Sequence, residues 1–346
     1  MYKKLEIKFI YVVYLLKKEG INVMDFDISL KAINFLVSSK CNLHCKMCDY
    51  PDGNMHRKEL TYNQIQELIL NALVLGLERL DLSGGEPMMR KDIYDIISFA
   101  NSQDIRTLLV TNGTMIGENE ALKLVESGIS AVIISLEGFE EINDFVRGIG
   151  NYKKAINAIQ CLKKHRDKLD YINVGITISK LNYKELFDFT KYLIEEIGVD
   201  SISYNPFDRQ MLLKENQKNA QSIFEVSDDI LEDVNNQLEK IIEYSSNNNL
   251  NLSTPNYLRK IPDYFRGKKM LPSFPCCEPL IGCAIDSAGQ VYGCWGQQET
   301  LCGDITKASL FDIVKTDIYK QICKTALTLK CKGCLKACYV NAYNSY

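Results

Sequence analysis

Cys41-Asn42-Leu43-His44-Cys45-Lys46-Met47-Cys48 carries three cysteines spaced CxxxCxxC, just after a short apolar run over Ile33–Val37. Three thiolates can hold three irons of a [4Fe–4S] cube, because Cys thiolates are the usual ligands of such clusters. The fourth iron is then left without a protein ligand. A small molecule bound there can receive an electron directly. His44 lies between the ligands and reads as a packed or hydrogen-bonding loop residue, since three cysteines already suffice.

Outward from this loop, strand-like and helix-like segments alternate. The pattern predicts strands at Ile33–Val37, Leu80–Leu82, Thr107–Val110, Ala131–Leu136, Ile172–Ile178 and Ser201–Tyr204. Helices are predicted at Gln64–Leu75, Asp92–Asn101, Glu118–Ser127, Tyr152–His165 and Tyr183–Glu196. Thr61 reads as an N-cap, and Gly128 and Gly198 as helix C-caps. Six βα-type units with short connections argue for an α/β fold with a parallel sheet and right-handed crossovers. In parallel α/β barrels the chemistry sits at the C-terminal ends of the strands. The notable residues fall there. The cysteine loop follows the first strand, Gly84-Gly85-Glu86-Pro87 the second and Thr111-Asn112-Gly113 the third, while Ser135 to Gly138 ends the fourth.

The chain has 346 residues, enough for two domains or one large α/β domain with an appendage. Its 46% hydrophobic and 25% charged residues are those of a globular protein. A net charge of −3 without a long basic block gives no reason to expect nucleic acid as a partner. The 13 cysteines are clustered: three at 41–48, Cys161 alone in a predicted helix, and nine from Cys276 to Cys338. Disulfides are dense in small secreted scaffolds, whereas CxxC and CxxxC clusters read as metal or iron–sulfur ligands. We therefore expect a cytoplasmic protein with metal clusters, and Cys161 in its core. Near the N-terminus, Ile7–Leu16 is apolar but too short to span a bilayer, and Lys17-Lys18-Glu19 follows it without a cleavage site. It reads as a helix packed on the main domain, with peripheral membrane contact as the alternative.

The order CxxxCxxC, Gly84-Gly85-Glu86-Pro87, Ala131–Gly138, then Asn143–Gly148 resembles the radical S-adenosylmethionine (SAM) enzymes, from about Ala32 to the end of the chain. The resemblance implies a partial (β/α)6 TIM-like barrel with a small cysteine-rich C-terminal domain. It implies a cluster on Cys41, Cys45 and Cys48 that reduces SAM to methionine and a 5′-deoxyadenosyl radical, which takes a hydrogen atom from a substrate. Gly84, Gly85, Glu86 and Pro87 would serve the SAM amine, as glycines let backbone approach closely and carbonyls accept from an ammonium. Ser135 would reach a ribose hydroxyl or the carboxylate. Arg147 offers a forked donor matched to a carboxylate. Asn112 is a ribose or substrate contact or a turn residue. Met47 stands where the family usually has an aromatic residue beside the adenine, and Glu137 where it often has Asp.

The C-terminal cysteines resemble the SPASM and twitch extensions of these enzymes. Ala284 to Tyr292 reads as strand–turn–strand, bringing Cys294 back beside Cys283. Cys331-Lys332-Gly333-Cys334 and Cys338 follow. The resemblance implies an auxiliary [4Fe–4S] cluster on Cys277, Cys283 and Cys294 with a ligand from Cys331, Cys334 or Cys338. Cys338 stands only four positions after Cys334, a departure from the full SPASM spacing, so a second cluster, using Cys323, stays open. A four-cysteine zinc site is the alternative. Cys302 and Cys323 are either buried thiols or hydrogen-atom donors to a substrate radical. Four divisions follow: 1–30 an N-terminal helical extension, 31–208 the barrel, 209–249 a helical bridge, and 250–346 the auxiliary domain. The expected substrate is a peptide, making the enzyme a peptide-modifying maturase, with a sugar or aminocyclitol dehydrogenase or epimerase as the alternative. A non-catalytic iron–sulfur electron carrier is the third reading. An electron donor such as flavodoxin or ferredoxin would be a partner.

Overall fold

The computed structural model describes residues 28–49, 58–208, 217–271, 275–297 and 299–335. The predicted Ile7–Leu16 helix and Cys338 lie outside them. Six parallel strands, β1 (Ala32–Ser38), β2 (Arg79–Gly84), β3 (Arg106–Thr111), β4 (Ala131–Ser135), β5 (Tyr171–Ile178) and β6 (Ser201–Pro206), follow one another in sheet order. Each is joined to the next by helix, as its βα spacing requires. The sheet runs to ten strands. β7 (Asn251–Leu252) adds beyond β6, and β8 (Gly282–Ile285), β9 (Gln290–Tyr292) and β10 (Gly303–Asp304) add beyond β1.

Local chemistry explains the elements. The Tyr62–Val74 helix starts in a capping box: Gln64 N donates to Thr61 Oγ1, and Thr61 N donates to Gln64 Oε1 at 2.9 Å. The strands alternate between a fully buried face and a half-buried one. In β1, Ile33, Phe35 and Val37 are at 0% exposure, while Ala32, Asn34 and Leu36 are half-buried. The fully buried set packs against the helices in one large core. The register aligns Asn34 with Asp81 and Asp81 with Leu108, so these residues share the other face, on which Leu108 is buried.

Two elements differ from the sequence reading. Residues Glu140–Arg147 form a separate helix, closed by Gly148 at φ +105°, before the Asn151–Lys163 helix. The Leu186–Tyr192 helix widens into a π turn over Leu193–Ile197 before Gly198 at φ +73°. The C-terminal hairpin forms as expected, with β8 and β9 antiparallel around a turn whose Gly289 has φ +88°. It does not stand apart from the barrel sheet: β8 pairs in parallel with β1 over Ala32–Phe35. No helix among the described residues is long and apolar enough to cross a membrane.

Candidate functional site

The residues singled out at the strand ends come together at one end of the sheet. Beyond β1 the chain is braced before it reaches Cys41. Ser38 Oγ, Ser39 N and Ser39 Oγ all donate to Glu59 Oε1, at 2.9, 2.7 and 3.0 Å. Burial alone would push the Glu59 carboxyl up, but these three donors hold it below its ordinary value. Arg90, 9% exposed, donates to Val37 O at 3.0 Å and Leu60 O at 2.9 Å and pairs with Asp92. The cysteine loop turns through Cys48 N to Cys45 O at 3.0 Å and is tied to the next region by Lys46 N to Val146 O at 2.9 Å.

Gly84 and Gly85 lie against this segment. Gly85 N donates to Ser38 O at 2.9 Å and Glu86 N to Lys40 O at 2.7 Å. A Cβ on Gly85 would stand 2.2 Å from Lys40 O, and one on Gly84, at φ +130°, 2.3 Å from Ser38 O. Only glycine permits this approach. Pro87 is buried at the start of a short 3₁₀ turn over Pro87–Met89. Glu86 points inward, at 0% exposure, and accepts from Thr111 Oγ1 at 2.6 Å, Met88 N at 3.0 Å and Asn112 N at 2.8 Å. Burial raises its carboxyl above the ordinary value, against those donors. Its carboxylate thus braces the β2 and β3 ends, and the backbone around it faces the cysteine segment. Asn112 Nδ2 donates to Asn42 Oδ1 at 2.9 Å, and Asn42 Nδ2 to Thr114 Oγ1 at 2.9 Å. Asn42, given no role in the sequence reading, therefore stitches the cysteine loop to the β3 turn.

Ser135 ends β4 half-buried, and no described residue engages its hydroxyl. Arg147 pairs with Glu137, whose side chain is 2% exposed. Met47 packs beside Val146, Phe207 and Phe224. The thiols of Cys41, Cys45 and Cys48 act on one another electrostatically. Burial is the main cause that pushes Cys45 up to about 11, and Arg147 pulls it the other way. Among the described residues no three His, Cys, Asp or Glu side chains are gathered as a finished metal site. The donor set still fits an iron–sulfur cube: three soft thiols on one loop, a cation beside two of them, and a glycine turn without Cβ atoms against the loop.

Several of the described C-terminal thiols lie near one another. Cys276, Cys294 and Cys334 adjoin one another; a Cβ on Gly296 would lie 3.7 Å from Cys334 Sγ and 3.8 Å from Cys294 Sγ. The Cys283 thiol is acted on by Cys302, and Cys323 by Cys302, Cys294 and Cys277. β8 and β9 pair Ala284 with Tyr292 and Ile285 with Val291, so the hairpin returns the chain to Cys294 at the end where Cys283 stands. Cys276 entered the group unforeseen, because its partners stand far along the chain. Cys302 and Cys323 are 5% and 4% exposed, and their thiols donate weakly to Thr300 O and Pro279 O. Burial pushes them up to about 11 and about 12. Cys331 is half-buried, and Cys161 is buried as expected.

Residues 35–193 match the model of the Radical SAM superfamily. The chain is 33% identical over 175 residues to an Fe-coproporphyrin III synthase of Methanosarcina barkeri, covering 49% of this chain and 42% of that protein. It is 31% identical over 143 residues to the mycofactocin maturase MftC of Mycolicibacterium smegmatis, covering 41% of this chain and 34% of that protein. The chain spans at most about half the length of these curated relatives. Among solved structures, Streptococcus suis SuiB bound to S-adenosylmethionine superposes with a TM-score of 0.70 at 20% identity, over 94% of this chain and 76% of SuiB. Native anSMEcpe with bound AdoMet and Cp18Cys peptide gives 0.66 at 18% identity, over 86% of this chain and 83% of that one. The fold, the strand-end constellation and the matched segment agree: residues 35–193 of this chain form a Radical SAM superfamily domain.

Proposed function

We propose that the protein is a radical SAM maturase that modifies a peptide. One observation carries the reading: the Cys41–Cys48 loop, the Gly84–Gly85–Glu86 turn hydrogen-bonded to Ser38 and Lys40 just before it, and Arg147 beside Cys45 and Cys48 meet at one end of the sheet. When bound, a reduced [4Fe–4S] cluster and SAM supply a 5′-deoxyadenosyl radical that abstracts a hydrogen atom.

This chain's own groups hold and orient. Cys41, Cys45 and Cys48 are the cluster ligands. The carbonyls of Gly84 and Gly85 receive the amine, and Pro87 starts the turn that fixes them. Glu86, tied inward by three donors, stiffens the turn from behind. Arg147 would take the carboxylate, Ser135 a ribose hydroxyl or the carboxylate, Asn112 the ribose, and Met47 would offer the adenine its adaptable side chain. The C-terminal thiols Cys276, Cys294 and Cys334 hold an auxiliary cluster of SPASM type, with a ligand from Cys331 or Cys338. Cys277, Cys283, Cys302 and Cys323 form the packed interior beside it. The barrel runs over 31–208 and the auxiliary region over 250–346, joined by the bridge over 209–249. An electron carrier such as flavodoxin or ferredoxin supplies the reducing electron.

Peptide chemistry is supported by the likeness to MftC, named a maturase, and by the fold shared with SuiB and anSMEcpe, both also solved with peptides. The test is to incubate the reconstituted enzyme with SAM, a reductant and any short peptide encoded beside its gene, and to follow the peptide by mass spectrometry. The expected outcome is a mass change with the wild type, lost in Cys45→Ala together with SAM cleavage. Cys334→Ala should still cleave SAM but leave the peptide unaltered. An unchanged peptide alongside an altered sugar or aminocyclitol would overturn the substrate class.

A further inference from the structure

Arg147 and Glu137 form a buried pair whose geometry is more constrained than carboxylate recognition by an arginine alone requires. Arg147 Nε donates to Glu137 Oε1 at 3.0 Å, and Nη2 donates to the same oxygen. Glu137 is itself fixed on every side. Its Oε2 accepts from Thr177 N at 2.9 Å, its backbone N donates to Asn143 Oδ1 at 3.2 Å, and its backbone O accepts from Asn182 Nδ2 at 2.7 Å. Asn182 Nδ2 also donates to Thr177 O at 2.8 Å, closing the cage on β5. The backbone of Arg147 is held as well, by Asn151 Nδ2 donating to its carbonyl at 2.7 Å.

A guanidinium is a rigid planar fork with five N–H donors. Pairing through Nε and Nη2 uses one edge and leaves the end-on edge, formed by Nη1 and the second hydrogen of Nη2. No described residue accepts from Nη1. A wholly structural buried arginine would have its donors satisfied inside the protein. Here the side chain is 13% exposed, its charge is felt by Cys45 and Cys48, and one edge is left over.

We propose that Glu137 is a positioning residue, which turns Arg147 so that its unused edge meets the carboxylate of SAM at the cysteine loop. The proposal rests on the reading of the site given above. It assigns Glu137 no contact with SAM. The pair supplies one negative and one positive charge, so a carboxylate on the free edge and the neighbouring SAM amine keep the local charge balanced. A Glu137→Gln change keeps the length of the side chain but loses the ionic grip, and its amide cannot accept from both Arg147 and Thr177 N.

Equilibrium binding of two probes, SAM and decarboxylated SAM, to the iron-reconstituted protein separates this role from simple stabilisation. Decarboxylated SAM lacks the group that Arg147 is argued to hold. Glu137→Gln should weaken SAM by about tenfold or more and change decarboxylated SAM by less than about threefold, at unchanged iron content. An equal loss for both ligands, or no loss for either, overturns the proposal. If Glu137→Gln does not load iron, Glu137→Asp replaces it under the same criteria, because the shorter side chain cannot reach both Arg147 and Thr177 N. A wild-type protein that takes up iron but binds neither probe contradicts the underlying reading of the site instead.

Discussion

Gly85 is the residue at which the account is most exposed. Its missing Cβ lets the β2 turn lie on the cysteine segment, where the position of that atom would be 2.2 Å from Lys40 O. Gly85→Ala should cost about 1–3 kcal/mol in urea unfolding and lower the iron bound by the Cys41 loop. Glu86 gives a pH signature. Burial raises its carboxyl in the native state, so the folded chain holds that proton more tightly than the unfolded one. Its favourable contribution is full below the unfolded value of about 4.3 and is lost as pH rises through the raised native value. Relative to Glu86→Gln, the wild type should therefore lose stability as pH rises above about 4. Parallel urea midpoints for the two proteins across that range would contradict the inward, buried carboxylate. At this scale the sequence was readable where residue type alone dictates the chemistry: the three thiols, the two glycines and the arginine fork. It was not readable for Arg90, Asn42 and Glu59, whose partners are set by folding and stand far along the chain.

The elements were legible through their periodicity, and the six strands fall where alternation put them. The Glu140–Arg147 helix was missed because it is short and ends on a glycine with left-handed backbone, inside a stretch read for its arginine. The parallel pairing of β8 with β1 was also invisible, because no local pattern names a partner strand some 250 positions away. That pairing makes the C-terminal hairpin an extension of the barrel sheet. Phe35, at 0% exposure and in register with Ile285, lies at the join. Phe35→Ala should cost about 3–5 kcal/mol. Hydrogen exchange should show the amides of residues 282–285 losing protection together with those of β1. Loss confined to β1 would mean that the hairpin is held by other contacts.

Across the whole molecule, twelve of the thirteen cysteines fall in a strand-end loop and a C-terminal group, with Cys161 alone in a helix. Clustering along the chain shows that the thiols gather, but which of them are neighbours depends on folding, as Cys294 and Cys334 stand together at the Gly296 turn from positions forty residues apart. Cys294→Ser and Cys334→Ser should each lose the same share of iron. Cys302→Ala should keep its iron and lose about 0.5–3 kcal/mol of stability, read by iron analysis and urea unfolding of the same samples.

The claim on which the rest depends is that the Cys41–Cys48 loop and the residues around it cleave SAM. Anaerobically reconstituted protein, given SAM and dithionite, should release 5′-deoxyadenosine and methionine in equal amounts, and Cys45→Ala should release none. Wild-type protein with its iron intact that forms no 5′-deoxyadenosine would contradict the account.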